Sequence, residues 1–178
     1  MERDIKEILF TEEELKAKVK ELAQRINRDY TGKKLVLIGV LKGASVFLSD
    51  LMRQIEIPLE IDFIAVSSYG NSALSSGVVR ILKDLDRDID HKDVILVEDI
   101  VDTGLTLNYL LKNFKDRKAS SVRICTLLDK PERRKADIEI DYVGFQIPDE
   151  FIVGYGIDYA EKYRNLPYVA ALKREVYT

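Results

Sequence analysis

The sequence predicts an α/β fold, a twisted and mostly parallel sheet flanked by helices. Apolar runs of strand length, Lys34-Leu-Val-Leu-Ile-Gly-Val40, Val94-Ile-Leu-Val97 and Ser121-Val-Arg-Ile-Cys-Thr-Leu-Leu128, alternate with amphipathic segments of helix length. Consecutive aliphatics without polar alternation mark strands buried on both faces of a parallel sheet. Lys42, Glu98-Asp99, Asp102 and Lys130 all follow the ends of such runs, where open α/β sheets bind ligands.

The elements follow in order. Thr11-Glu-Glu-Glu14 is a capping box, and Leu15, Val19, Leu22 and Ile26 behind it form the apolar stripe of an amphipathic helix. The strand ending at Val40 leads through Lys42-Gly-Ala-Ser45 into a helix reaching about Gln54, and Pro58 closes the unit. A strand from Leu59 to Val66 precedes Ser67-Ser-Tyr-Gly-Asn-Ser-Ala-Leu-Ser-Ser-Gly77, which is too polar to pack as a regular element and reads as a mobile loop. A strand from Val78 to Leu82 and an acidic turn, Asp84 to Asp93, lead to the strand at Val94 and a helix reaching about Phe114. After Leu128 come Asp129-Lys130-Pro131-Glu-Arg-Arg134, short strands near Tyr142–Phe145 and Phe151–Val153, and an end expected to be mostly irregular.

At 178 residues a single domain is expected, with its core spanning about residues 30–145. The 46% hydrophobic and 33% charged composition is that of a globular protein, and a net charge of −3 gives no general attraction to nucleic acid or to an anionic membrane. No apolar run approaches the roughly 20 residues of a membrane span, and Met1-Glu-Arg-Asp lacks a signal-peptide pattern, so a cytoplasmic location is expected. Cys125, the only cysteine, has no partner for a disulfide or thiolate metal site and is expected to be a packing residue. His91 sits in a charged turn and is expected to be exposed. Neither a Walker A loop nor a dinucleotide fingerprint is present, since no third glycine follows Gly154-Tyr-Gly156 at Tyr159.

The most informative run is Val94-Ile-Leu-Val-Glu98-Asp99-Ile-Val-Asp102-Thr103-Gly104-Leu105-Thr106. It places two adjacent carboxylates at a strand end, then a hydroxyl-rich, glycine-containing turn into a helix. Amides at a helix start, with the helix dipole behind them, suit a phosphate, and Gly104 permits close approach or a positive φ. Carboxylates would repel that phosphate unless they meet sugar hydroxyls or a divalent cation stands between. A sugar phosphate held with Mg²⁺ satisfies both demands, whereas simple helix capping needs only one such residue.

This run resembles the phosphoribosyl-pyrophosphate motif of type I phosphoribosyltransferases. Leu41-Lys-Gly-Ala44, Ser67-Ser-Tyr-Gly70, Leu128-Asp-Lys-Pro-Glu-Arg-Arg134 and Phe145-Gln-Ile-Pro-Asp-Glu-Phe-Ile-Val-Gly-Tyr-Gly-Ile-Asp158 narrow the resemblance to the bacterial hypoxanthine-guanine type, over nearly the whole chain. It implies the type I phosphoribosyltransferase fold, with a small hood made by both chain ends. The implied reaction transfers phosphoribosyl from phosphoribosyl pyrophosphate to N9 of hypoxanthine or guanine, with Mg²⁺. The alternatives are another base such as xanthine, or a nucleotide-sensing regulator on the same fold.

The resemblance also implies the site. Glu98 and Asp99 meet the ribose hydroxyls directly or through the metal, and Asp102, Thr103, Gly104, Leu105 and Thr106 cradle the 5′-phosphate. Asp102 doubles as the general base or acid near purine N7. Lys42, Gly43 and Arg164 contact pyrophosphate, assisted by Arg134, with Arg133 as the alternative. Lys130 meets the purine oxygen, Phe151 stacks on the base and Ile152 reads it from its backbone. Asp158, placed beside the purine, completes a second metal site with Glu98 and Asp99 at the first. Ser68 and Tyr69 belong to a lid. Glu150 stands where some relatives carry lysine, which leaves the choice between guanine and hypoxanthine open. A homodimer or homotetramer is implied as well.

Overall fold

The structure is a computed structural model and describes residues 1–68 and 79–178. Strand β1 (Ile5–Phe10) follows a short 3-10 turn, and helix α1 (Glu12–Asp29) starts at the capping box. There the Glu14 amide donates to Thr11 Oγ1 at 3.3 Å, and the Thr11 amide donates to Glu14 Oε2 at 2.8 Å. The chain continues through β2 (Leu35–Leu41), α2 (Ser45–Gln54), β3 (Leu59–Ser68), β4 (Val79–Lys83), β5 (Asp93–Val101), α3 (Leu105–Asp116), β6 (Ser121–Asp129) and β7 (Tyr142–Gln146). It ends with β8 (Ile152–Val153), β9 (Val169–Leu172) and α4 (Arg174–Tyr177).

Six strands form the main sheet in the order β4-β3-β2-β5-β6-β7, all parallel except the edge strand β4, which runs antiparallel to β3. The central apolar runs are buried on both faces, as parallel strands covered by helices must be. Ile95 and Val97 of β5 point with Leu37 and Leu127 into the layer under α1 and α2, built on Leu15, Leu22, Phe47 and Leu51. Val94 and Leu96 point the other way, against Leu107, Leu110 and Phe114 of α3. Cys125 is buried in the first layer, in keeping with a packing role, and His91 is exposed. The α/β expectation therefore holds, with a twisted, mostly parallel sheet between helices.

The chain's end is not irregular. β9 pairs antiparallel with both β1 and β8, so a second sheet in the order β1-β9-β8 forms the hood from the two ends of the chain. β1 was not anticipated, because Ile5-Lys-Glu-Ile-Leu-Phe10 lacks alternation and its ladder carries two register shifts. Val169-Ala-Ala-Leu172 is short and weak in β-branched residues, so burial between two neighbours, not local propensity, makes it a strand. β5 runs four residues past the aliphatic run Val94–Val97, because its pairing with β6 continues to Val101, so Glu98 and Asp99 lie within the strand; the remaining boundaries agree to within one or two residues. The start of the β4 expectation, Val78, and the polar loop from Tyr69 to Gly77 lie outside the described residues.

Candidate active site

The aligned carboxyl ends of β2, β5 and β6 assemble the site. The turn after β5 is shaped by Gly104, which caps α3 in the left-handed region at φ 78°. Residues 134–136 brace it from behind. Arg134 Nε donates to the Asp102 carbonyl at 3.2 Å, and the amides of Lys135 and Ala136 donate to the Thr103 carbonyl at 2.9 and 3.1 Å. Arg134 also pairs closely with Asp129, so its guanidinium is committed to holding the loop. Glu98, Ile100, Asp102, Thr103, Gly104 and Thr106 line a cleft of about 240 Å³. Leu105 is not among its lining residues and enters the site only through the backbone that starts α3.

Glu98 is buried, and its neighbour Asp99 accepts the Ile100 amide at 2.7 Å. Burial, then the charge of Asp99, raises the Glu98 carboxyl well above its ordinary value, and burial lifts Asp99 to about 6. Gly43 is there because nothing larger fits, since a Cβ at that position would lie 1.8 Å from Asp99 Oδ2. This brings the Lys42-Gly43 loop, entered through a cis Leu41–Lys42 peptide, directly against the acidic pair.

Arg164 reaches the same place from the other side. It donates to the Gly156 carbonyl at 2.8 Å, pairs with Asp158 at 3.0 Å, and exerts a lowering pull on Asp99, which places its charge near the acids. Its Nε is buried with no hydrogen-bond partner among the described residues. Asp158 also accepts the Glu161 amide at 2.9 Å. Among the described residues no three acids, histidines or cysteines cluster as a closed metal site, so Asp158 does not join Glu98 and Asp99 in one shell. The donor set nonetheless fits a hard divalent cation of the kind that takes one or two protein carboxylates and draws its other ligands from phosphates and water. Two buried carboxyls whose ionisation burial discourages are relieved when such a cation arrives.

A second pocket, of about 540 Å³, opens beside the first and is lined by Asp102, Lys130, Arg133, Asp149, Phe151 and Tyr177 among others. Lys130 is buried, and its Nζ donates to the Glu150 carbonyl at 2.5 Å. The Glu150 side chain turns away and accepts from Lys6 at 3.1 Å. Phe151 stacks on Tyr177 at 4.6 Å between centroids and meets Tyr159 edge-on at 5.2 Å. Ile152 is buried in β8, where it pairs with Ala171. Arg133 Nε lies 2.7 Å from Asp102 Oδ1, so of the two neighbouring arginines it is Arg133 that faces the Asp102 carboxylate. Ser68 is the last residue of β3, and Tyr69 lies outside the described residues.

Sequence reading did not single out Ile100, Arg174 or Tyr177, each of which lines one of the two pockets. Ile100 sits between the acids and Asp102, so its position held a signal that its apolar type concealed. Arg174 and Tyr177 lie in a segment taken as irregular, and only the pairing of β9 brings them to the pocket.

A phosphoribosyl transferase domain model matches residues 6–160, and the chain belongs to that family. Its relatives narrow the branch to the hypoxanthine-guanine phosphoribosyltransferases. The enzyme of that name from Streptococcus thermophilus is 57% identical over 99% of this chain and 98% of its own length. The one from Bacillus subtilis is 55% identical over 99% and 98%. A solved hypoxanthine phosphoribosyltransferase from Staphylococcus aureus matches with a TM-score of 0.98 at 53% identity, covering 100% of this chain and 97% of that one.

Proposed function

We propose that the chain, acting as one domain, transfers the phosphoribosyl group of phosphoribosyl pyrophosphate to N9 of hypoxanthine or guanine in purine salvage, releasing pyrophosphate. The observation that carries the reading is that Asp102 lines both the phosphate-loop cleft and the Lys130 pocket, so one carboxylate faces sugar phosphate and base together. The loop amides at the start of α3 take the 5′-phosphate, with Gly104 allowing their approach. Glu98 and Asp99 take the ribose hydroxyls. Lys42, the Gly43 backbone and Arg164 hold the pyrophosphate, where arginine's fork suits two phosphate oxygens.

In the second pocket Lys130 donates to the purine oxygen. Phe151 contacts the base, the C-terminal Arg174 and Tyr177 close its outer side, and Ile100 lines the neighbouring cleft that takes the sugar phosphate. The bond from C1′ to pyrophosphate oxygen breaks as N9 bonds to C1′. Asp102 accepts the proton that N7 loses, and the nearby carboxylates suit the cationic character that builds at C1′. Glu98 and Asp99, and separately Asp158, would hold Mg²⁺, which when bound would neutralise charge on the leaving group. A lid at Ser68 and Tyr69, a cytoplasmic location and a homodimer or homotetramer complete the reading. No helix among the described residues is long and apolar enough to cross a membrane, in keeping with that location.

The test is product identification after incubating the protein with Mg²⁺, phosphoribosyl pyrophosphate and an equimolar mixture of hypoxanthine, guanine, xanthine, adenine and uracil. IMP and GMP with stoichiometric pyrophosphate are expected. A product from another base alone would move the assignment to that base, and no product would refute it.

A further inference from the structure

Glu161 stands between the two cations just assigned to pyrophosphate. Its carboxylate oxygens lie 2.8 Å from Lys42 Nζ and 3.4 Å from Arg164 Nη2, one oxygen to each cation. Lys42 comes from the end of β2 and Arg164 from the loop between β8 and β9, so no local sequence rule brings the three together. The placement is built. Ala160 and Glu161 both adopt the left-handed region, at φ 51° and 61°, a conformation that side chains disfavour. The turn that holds them is closed by paired backbone bonds between Tyr159 and Lys162, at 3.1 and 3.0 Å, and by Asp158 accepting the Glu161 amide. The carboxylate itself is exposed, as is Lys42, so an incoming anion reaches both without unfolding the loop.

We propose that Glu161 is a resident stand-in for pyrophosphate: it occupies Lys42 and Arg164 when the subsite is empty, yields them to the diphosphate of substrate or product, and reclaims them as pyrophosphate leaves. The proposal rests on the assignment of Lys42 and Arg164 to pyrophosphate. Its consequence is a tuned affinity, because a site partly filled by its own counter-ion binds the external anion more weakly by the fraction of time it is occupied.

The experiment measures pyrophosphate binding to the free protein by calorimetry in Mg²⁺ buffer. It also measures KM for phosphoribosyl pyrophosphate and kcat, for wild type, Glu161→Gln, Glu161→Asp, Lys42→Ala and Arg164→Ala. Removing an exposed ion pair should tighten pyrophosphate binding about two- to fivefold in Glu161→Gln, with KM falling in parallel and kcat equal or lower. Glu161→Asp keeps the charge but shortens the reach, so it should tighten binding as Glu161→Gln does. If Glu161→Asp matches wild type while Glu161→Gln binds tighter, net charge alone is responsible and the proposal is overturned. If both Glu161 variants bind as wild type or more weakly, while Lys42→Ala and Arg164→Ala lose affinity, the stand-in fails and the pyrophosphate assignment stands. If neither Lys42→Ala nor Arg164→Ala weakens binding, the assignment itself falls and takes the proposal with it.

Discussion

Asp102 faces two pockets and is approached by Arg133 at 2.7 Å, so its carboxylate has a charged neighbour before any substrate enters. Asp102→Asn keeps the shape and the loop but removes the proton acceptor. Turnover should fall about 10²- to 10⁴-fold, while phosphoribosyl pyrophosphate affinity changes little. Steady-state kinetics beside a binding titration separates the two, and equal losses would reduce Asp102 to a binding residue. Asp99 illustrates a different conflict. Its folded pKa, lifted by burial to about 6 from the ordinary 3.8, means that the folded state holds a proton the unfolded state has released. The free protein therefore loses stability as pH rises from about 4 to about 6 through this group, and the loss is complete above that window. Asp99→Asn should flatten this slope and raise Tm at pH 7 by roughly 2–6 °C while abolishing activity, which thermal melts across pH would show. The acids of the β5 run, Lys42 and Lys130 were legible because their types are conspicuous near strand ends, and Arg164 only through the family resemblance. Arg133 was legible only as the alternative to Arg134 and Glu161 not at all, since a side chain's partner from a distant part of the chain leaves no trace in spacing.

The elements written by local rules were the legible ones. The Thr11 capping box starts α1 where expected, and the unbroken aliphatics of β5 and β6 declare a sheet buried on both sides. β1 and β9 escaped because the pairing that makes them strands joins residues such as Ile8 and Ala170 from opposite ends of the chain. The turn into α3 is the element to which the proposed function assigns the 5′-phosphate. A Cβ on Gly104 would lie 2.9 Å from Ile138 Cδ1 and 3.0 Å from Arg134 Cδ, at a φ of 78°. Gly104→Ala should cost about 1–2 kcal/mol of stability from the left-handed backbone, and it should raise KM for phosphoribosyl pyrophosphate as the brace from Arg134 shifts. Melting temperature and KM measured on the same preparation check both halves.

Across the whole molecule, part of the hood rests on a small cluster of its own, Val153, Tyr163, Leu166 and Leu172, and of its buried strand residues only Ile152, Val169 and Ala171 join the main core, while the main sheet is covered on both faces. Amides of β1, β8 and β9 should therefore exchange with solvent through an opening of lower free energy than those of β2 and β5, as native-state hydrogen exchange would reveal. Identical protection in both sheets would show that they open as one unit. Chelation gives a second global test: activity should vanish with EDTA and return with Mg²⁺, and full activity in chelator would remove the cation from the reaction. At the second pocket the Lys130 amine donates to the carbonyl of residue 150, and Lys130 and Arg133 lie 3.7 and 3.3 Å from the Asp149 carboxylate, which ties the end of β6 to the segment before β8. Because the amine is held by main chain, that contact survives a change of the side chain at 150, which itself lines the pocket and pairs with Lys6 of β1. A substitution there reaches the pocket through the side chain and its tie to β1, while the path of the polypeptide keeps the lysine in place.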